Sequence, residues 1–275
     1  MTPRAPYRDL FIYELEGDAR AVATGLGPHF LGLWLEDDTS FLFFSRPAAE
    51  EMAALLQRAP GLRLRQEHRL TYEQWQGGLS LEPLELPCLR VVPAWSEEPP
   101  PGDRPVLRLD PGLVFGSGLH PTTRHCLELL CRRAELGALG RVMDLGCGTG
   151  ILACAAALLG AESVLAVDLN PLCVQTTRAN AALNHLELEV VEGPAQDFLR
   201  RPAHLVLANL HWEAMAGLLS QEADLTSKKD LILSGITRSR VHLLRDRLAA
   251  LGYNIRHALE AESTWFSLWA RRGEG

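Results

Sequence analysis

The chain has 275 residues, 47% of them hydrophobic and 22% charged, which suits one large or two ordinary globular domains, each with its own core. Its formal net charge of −7 argues against a nucleic-acid partner held through phosphates and suits a basic protein partner. No apolar run reaches bilayer length, and the acids at Asp9, Glu14 and Glu16 are unlike a signal or transit peptide. A cytoplasmic protein without a membrane partner is therefore expected. Only Lys228 and Lys229 among the 27 basic residues are lysines, a bias that a GC-rich genome produces. Cysteines stand at 88, 126, 131, 147, 154 and 173, with no Cys-x-x-Cys pair and no histidine at zinc spacing. They read as buried reduced thiols, and no metal site is expected.

In chain order, Asp9–Leu15 reads as a strand, and Phe30–Leu35 and Ser40–Ser45 flank a turn at Glu36-Asp37-Asp38-Thr39. Met52, Leu55 and Leu56 have helical spacing within Ala48–Arg58, which Pro60-Gly61 ends. Leu62–Leu70 alternates leucine with charged residues, as an edge strand does. With a glycine-rich helix over Ala19–Leu26, the order β-α-β-β-α-β predicts a small ferredoxin-like α+β domain over residues 1–71. Residues 72–86 lose the pattern and read as a linker. Cys88–Pro93 resumes as a strand, and prolines 99 to 101 mark a surface loop.

From Pro121 strand and helix alternate. Helices are predicted over Pro121–Leu136, Ile151–Leu159, Pro171–Leu183, from Trp212, and over Ser239–Leu251. Strands are predicted over Arg141–Leu145, Ser163–Leu169, Leu186–Val191, His204–Leu207 and Leu231–Gly235. Tyr253–Leu259 and Thr264–Ala270 have no helix between them and read as an antiparallel pair at the sheet edge. Residues 87–275 are thus expected to form a doubly wound α/β domain.

Asp144-Leu-Gly146-Cys-Gly148-Thr-Gly150 follows the first of these strands, and Asp168 ends the second. Glycines there permit a tight turn and close backbone approach, and Asp168 can accept from two ribose hydroxyls. The glycine pattern fits S-adenosylmethionine, yet Gly148-Thr-Gly150-Ile-Leu-Ala153 also fits a dinucleotide. Asp144 tilts the balance: an acid there would repel a pyrophosphate but can accept from the ammonium of a methionine.

Upstream stands Asp110-Pro-Gly-Leu-Val-Phe115-Gly-Ser-Gly-Leu-His120-Pro-Thr-Thr123. This segment resembles that of the PrmA-type ribosomal protein methyltransferases. So do Glu73-Gln74-Trp75, Val92-Pro93-Ala94-Trp95, Ala208-Asn209-Leu210, Ser234-Gly235-Ile236 and Trp265–Ala270. The resemblance implies a seven-stranded class I methyltransferase sheet. It also implies an N-terminal substrate-recognition domain and S-adenosylmethionine as cofactor. The family's substrate is the stalk-base protein of the large ribosomal subunit, methylated on lysine side-chain or α-amino nitrogen. Carried over by position, its donor contacts fall on Thr123, Gly146, Asp168 and Asn209. With the glycine turn, the expected donor site comprises Thr123, Asp144, Gly146, Gly148, Gly150, Asp168 and Asn209.

Transfer from a sulfonium needs an aligned, neutral nucleophile in a site that excludes bulk water. Asn209 and the Asn209–Leu210 carbonyls are expected to orient the attacking amine. His120 is read either as a proton acceptor or as a residue that orders its loop. Gly112, Gly116 and Gly118 suggest a mobile lid, with Asp110 capping its turn. The chain departs from the family in the linker: Thr71 stands at a family tryptophan position, and Gln76-Gly77-Gly78 replaces a basic stretch. That departure bears on substrate presentation. A monomer is expected. Two rival readings keep a place: a non-ribosomal lysine target such as electron-transfer flavoprotein, and a nicotinamide-dependent oxidoreductase.

Overall fold

Alternating apolar residues draw the first strands together. In a computed structural model that describes residues 8–76, 82–96, 102–220, 225 and 227–273, the chain divides into two units. One is 1–80 with 170–172; the other is 81–169 with 173–275. Residues 97–101 of the loop read over 97–102, and 77–81 of the linker, lie outside the described residues.

The first unit carries β1 (Asp9–Glu16), β2 (Phe30–Glu36), β3 (Thr39–Phe44), α1 (Ala49–Arg58), β4 (Arg63–Thr71) and the short α2 (Tyr72–Trp75). Its sheet has the order β2-β3-β1-β4, with every pairing antiparallel. Tyr13, Leu15, Leu42 and Phe44 meet Met52 and Leu55 of α1 in one core. The helix expected over Ala19–Leu26 does not form. Gly17, Gly25 and Gly27 have φ of +100°, +75° and +86°, values that break a right-handed helix. The segment folds as turns instead. Ser40 Oγ accepts from Ala19 N at 2.9 Å and donates to Gly17 O at 2.7 Å, while Ala19 and Leu26 still enter the core.

α2 lies where the sequence suggested only linker. Thr71 Oγ1 accepts from Gln74 N, and Gln74 Oε1 accepts from Thr71 N at 2.8 Å, a reciprocal cap. Trp75 meets Phe43 edge-on, with ring centroids 5.2 Å apart.

The second unit opens with β5 (Leu84–Glu85), β6 (Arg90–Pro93) and β7 (Val106–Leu109), a separate three-stranded sheet. Then follow α3 (Pro121–Ala134), β8 (Arg141–Leu145), α4 (Ile151–Leu158), β9 (Ser163–Asp168), α5 (Pro171–Leu183), β10 (Glu189–Glu192) and β11 (Leu205–Asn209). The remaining elements are α6 (Trp212–Leu218), β12 (Asp230–Thr237), α7 (Arg238–Ala250), β13 (Tyr253–Ala261) and β14 (Trp265–Arg272). The main sheet has the order β10-β9-β8-β11-β12-β14-β13. It is parallel except for β14, which is antiparallel to both β12 and β13.

Both faces of the central strands are covered, so β8, β9, β11 and β12 are near-continuously apolar rather than alternating. Val142, Leu207 and Ile232 feed one core with Leu127 and Leu152. Met143, Val206 and Leu231 feed the other with Met215, Leu244 and Leu248. The α/β class, the seven strands and the edge pair thus stand as the sequence implied.

One cysteine reading is corrected. Cys88, just before β6, and Cys131 of α3 form a disulfide, with Cα atoms 5.4 Å apart. Only packing of α3 brings together two residues separated by 43 positions, so no spacing signals the pair. Cys126, Cys147, Cys154 and Cys173 are free and buried.

Candidate functional site

The chain leaves β8 through a turn that only glycine tolerates. Gly146, Gly148 and Gly150 have φ of +78°, +54° and +78°, and a Cβ on Gly148 would lie 2.4 Å from Phe115 O. A Cβ on Gly146 would lie 2.3 Å from Leu210 Cδ2. Gly146 and Cys147 both donate their amides to Val167 O, at 2.8 and 3.0 Å. The turn is thereby fastened to the end of β9, where Asp168 Oδ2 accepts from Gly148 N at 2.9 Å.

Asp144, at the end of β8, is buried. Its Oδ2 accepts from Ala153 N at 3.0 Å, whereas Oδ1 has no hydrogen-bond partner. Burial raises its pKa to about 7; the Ala153 amide opposes the rise and the charge on Asp168 adds to it. A buried carboxylate oxygen with an unused lone pair is costly unless a donor reaches it. A proton on the carboxyl, or a cationic donor such as an ammonium, would remove this cost.

The segment 110–123 lies over the turn. Thr149 N donates to Phe115 O at 3.1 Å, and Thr149 Oγ1 donates to Gly116 O at 2.8 Å. Asp110 Oδ1 accepts from Gly112 N at 2.9 Å, the turn cap expected of it. Phe115 is half exposed. Asn180 of α5, which sequence reasoning passed over, joins both loops. Its Nδ2 donates to Asp110 O at 2.8 Å and Thr149 O at 2.9 Å, while its Oδ1 accepts from Asp110 N. The sequence marks it only as an asparagine inside a predicted helix.

His120 caps α3, its Nδ1 accepting from Thr122 N at 3.3 Å. An accepting Nδ1 carries no proton, so the 2.7 Å contact with Thr122 Oγ1 is a hydroxyl donation to the ring. Asn209 Nδ2, at the end of β11, donates in turn to Thr122 Oγ1 at 3.2 Å and to Thr123 Oγ1 at 3.4 Å. Burial lowers the His120 pKa, with Glu262 opposing. Phe115 and Trp265 flank the ring edge-on, at 5.4 and 5.0 Å. The Asn209–Leu210 backbone rests on β12: Leu210 N donates to Ser234 O at 3.0 Å, and Gly235, with φ +85°, leaves space that a Cβ would close to 2.4 Å from Leu210 O.

The ends of β8, β9 and β11 and the start of α3 thus gather Asp144, the glycine turn, Asp168, Asn209 and Thr123. This is the carboxyl edge of the sheet at its topological switch, where ligands of open α/β sheets bind. Among the described residues, no group of His, Cys, Asp and Glu is arranged to hold a metal ion. Nor is any helix among them long and apolar enough to cross a membrane.

Comparison with known proteins gives one answer. Residues 68–273 match the model of the family described as "Ribosomal protein L11 methyltransferase (PrmA)". A curated relative of that name from Clostridium botulinum is 39% identical over 167 residues, 60% of this chain and 53% of the relative. Another, from Geobacter metallireducens, is 40% identical over 191 residues, 68% of this chain and 61% of the relative. Matched residues therefore span about half to three fifths of these relatives. A solved ribosomal protein L11 methylase from Lactobacillus delbrueckii subsp. bulgaricus superposes with a TM-score of 0.58 at 31% identity. It covers 68% of this chain and 96% of that one. The chain belongs to the ribosomal protein L11 methyltransferase (PrmA) family.

Proposed function

We propose that the chain binds S-adenosylmethionine at the carboxyl edge of the second unit and methylates an amino nitrogen of ribosomal protein L11, in the cytoplasm. The observation that carries the donor assignment is the unpartnered, buried Oδ1 of Asp144 beneath a glycine turn. Bound there, the cofactor supplies an electrophilic methyl group on a sulfonium. Asp144 accepts from its ammonium, and Thr123, at the start of α3 with backbone donors nearby, suits its carboxylate. Asp168 takes the ribose hydroxyls, and Gly146, Gly148 and Gly150 keep the backbone close.

On the acceptor side Asn209 and the Leu210 carbonyl hold the lone pair of the incoming amine in line. The Nδ1 lone pair of His120 is spent on its helix cap. His120 therefore positions Thr122 and the loop, while Phe115 and Trp265 beside it exclude water. The acidic chain suits a basic ribosomal protein. The first unit recruits that protein, and the chain between α2 and β5 links it to the second unit.

The test pairs purified ribosomal protein L11 with labelled donor. Wild-type protein is expected to label it, and Asn209→Ala to label it at least about a hundredfold more slowly. No transfer by the wild type, with donor bound in calorimetry, would sink the substrate assignment and leave the donor site standing.

A further inference from the structure

The edge of the main sheet carries a second cleft at the opposite end of α3 from His120 and Thr123. With 14 residues in α3, the two ends stand about 20 Å apart. The cleft measures about 490 Å³ and is lined by Arg132, Glu135 and Leu136 of α3, Arg256 and His257 of β13, and Trp269 and Arg271 of β14. Small-molecule sites have volumes of this order.

Its shape follows from a bulge. β13 pairs Ile255 with Ala270 but His257 with Trp269, so Arg256 is an extra residue in the ladder. Without the bulge Arg256 and His257 would point to opposite faces. With it both line one cleft, the re-aiming that bulges provide.

Its chemistry has two parts. The exposed His257 ring lies flat on Trp269, with centroids 5.3 Å apart and planes within 19°. Leu136, 62% exposed, adds an apolar rim. Around this platform stand guanidinium groups. Arg271 covers the Trp269 ring at 5.5 Å and donates to both oxygens of Asp230, at 2.7 and 3.0 Å. Asp230 is shared with Arg133 Nε at 2.7 Å and Trp269 Nε1 at 2.8 Å, so one buried carboxylate serves two guanidinium groups. Arg132 and Arg256 are exposed, and no hydrogen bond or ion pair among the described residues engages their side chains. Glu135 is the cleft's one acid.

We propose that this cleft binds one nucleotide, its planar base stacked on His257 and its phosphate held between Arg132 and Arg256. Stacking on an aromatic surface beside a basic track is how bases are held without sequence preference, and guanidinium groups match phosphate geometry. A carboxylate ligand would use the arginines but leave the His257–Trp269 surface idle. The overall negative charge does not oppose the assignment, because the field at the cleft is set by charges within a Debye length. The site is separate from the methyl-donor site and does not depend on it.

The test uses full-length protein and two probes: a short labelled oligouridylate followed by anisotropy, and uridine monophosphate by calorimetry. A uracil ring keeps the adenosyl-type donor site from reporting. Both Arg132→Ala/Arg256→Ala and His257→Ala are expected to weaken binding at least tenfold, with melting temperature and S-adenosylmethionine affinity unchanged. Raising salt from about 50 to 200 mM should weaken the wild type and affect the double variant less. Binding of the oligomer alone identifies a strand as the source; binding of the monophosphate as well identifies a free nucleotide. Absence of binding by both probes, or binding that the variants leave intact, overturns the proposal.

Discussion

Gly148 donates its amide to Asp168 Oδ2 at 2.9 Å, so the glycine turn after β8 is closed by the last residue of β9. The same carboxylate is assigned the ribose hydroxyls. Asp168→Ala removes an anchor for the loop together with an acceptor for the ligand. Hydrogen bonds to a charged group contribute roughly 1.5–3 kcal/mol each, so S-adenosylmethionine affinity should fall at least about a hundredfold. Calorimetry reads this directly, and an unchanged Kd would remove Asp168 from the site.

Asp144 makes pH dependence informative. Its pKa is about 7 in the fold against 3.8 for an ordinary aspartate. Because the folded value is raised, its contribution to stability is fully present below pH 3.8 and lost as pH rises through 7. Across that interval the loss approaches about 4 kcal/mol. In ligand-free protein, Asp144→Asn should abolish the part of the melting-temperature decline that wild type shows as pH rises from about 4 to about 7, where both states become ionised. The ligand reverses the sign, since an ammonium at Oδ1 favours the ionised form. Donor affinity should therefore rise with pH through about 7 in wild type and stay flat in the variant. A wild-type affinity without pH dependence would contradict the Asp144–ammonium contact.

What the sequence made legible was the part built from local signals. Glycines 146, 148 and 150, the acids at the ends of β8 and β9, and the alternating strands and helices each follow from short-range rules, and the proposed donor site rests on them. Long-range features stayed hidden. Asn180 clamps Asp110 and Thr149 from 70 and 31 residues away, and no periodicity announces that. The Cys88–Cys131 pair is of the same kind. The reading also failed at Ala19–Leu26, where a glycine-rich helix was expected from the β-α-β-β-α-β order and positive-φ glycines made turns instead. At Thr71–Gln74 the cap was readable in the sequence as Thr-x-x-Gln, but the short α2 it starts lay within a stretch without hydrophobic period.

The disulfide encloses β6, β7, the segment over the glycine turn and α3 as far as Cys131, three residues before its end. Cross-linking residues 43 positions apart restricts the unfolded chain by about 4 kcal/mol in the loop-entropy model. Reductant should therefore lower the melting temperature of wild type by several degrees and leave Cys88→Ser unaffected. A scanning calorimetry series with and without reductant checks this; equal shifts in both proteins would show that the bond is not the cause. Because the enclosed loop carries His120 and Thr123, reduced protein should also bind donor more weakly.

Gly235 tests whether the Asn209–Leu210 backbone must be held where it is. Its φ of +85° is unfavourable for alanine, and the added methyl would lie 2.4 Å from Leu210 O. Strain of this kind costs on the order of 1–3 kcal/mol, and relief comes by moving Leu210 away from β12. That shift carries Asn209 off Thr122 and Thr123, and Leu210 off Gly146. Gly235→Ala should thus lower kcat for methyl transfer by at least about tenfold while donor Kd changes by less. The expectation follows because Asp144 and Asp168 are attached to β8 and β9 and do not move with β12. Equal losses in kcat and donor affinity would mean that Leu210 supports the glycine turn rather than the acceptor, and the roles assigned to Asn209 and Leu210 would have to be exchanged for donor binding alone.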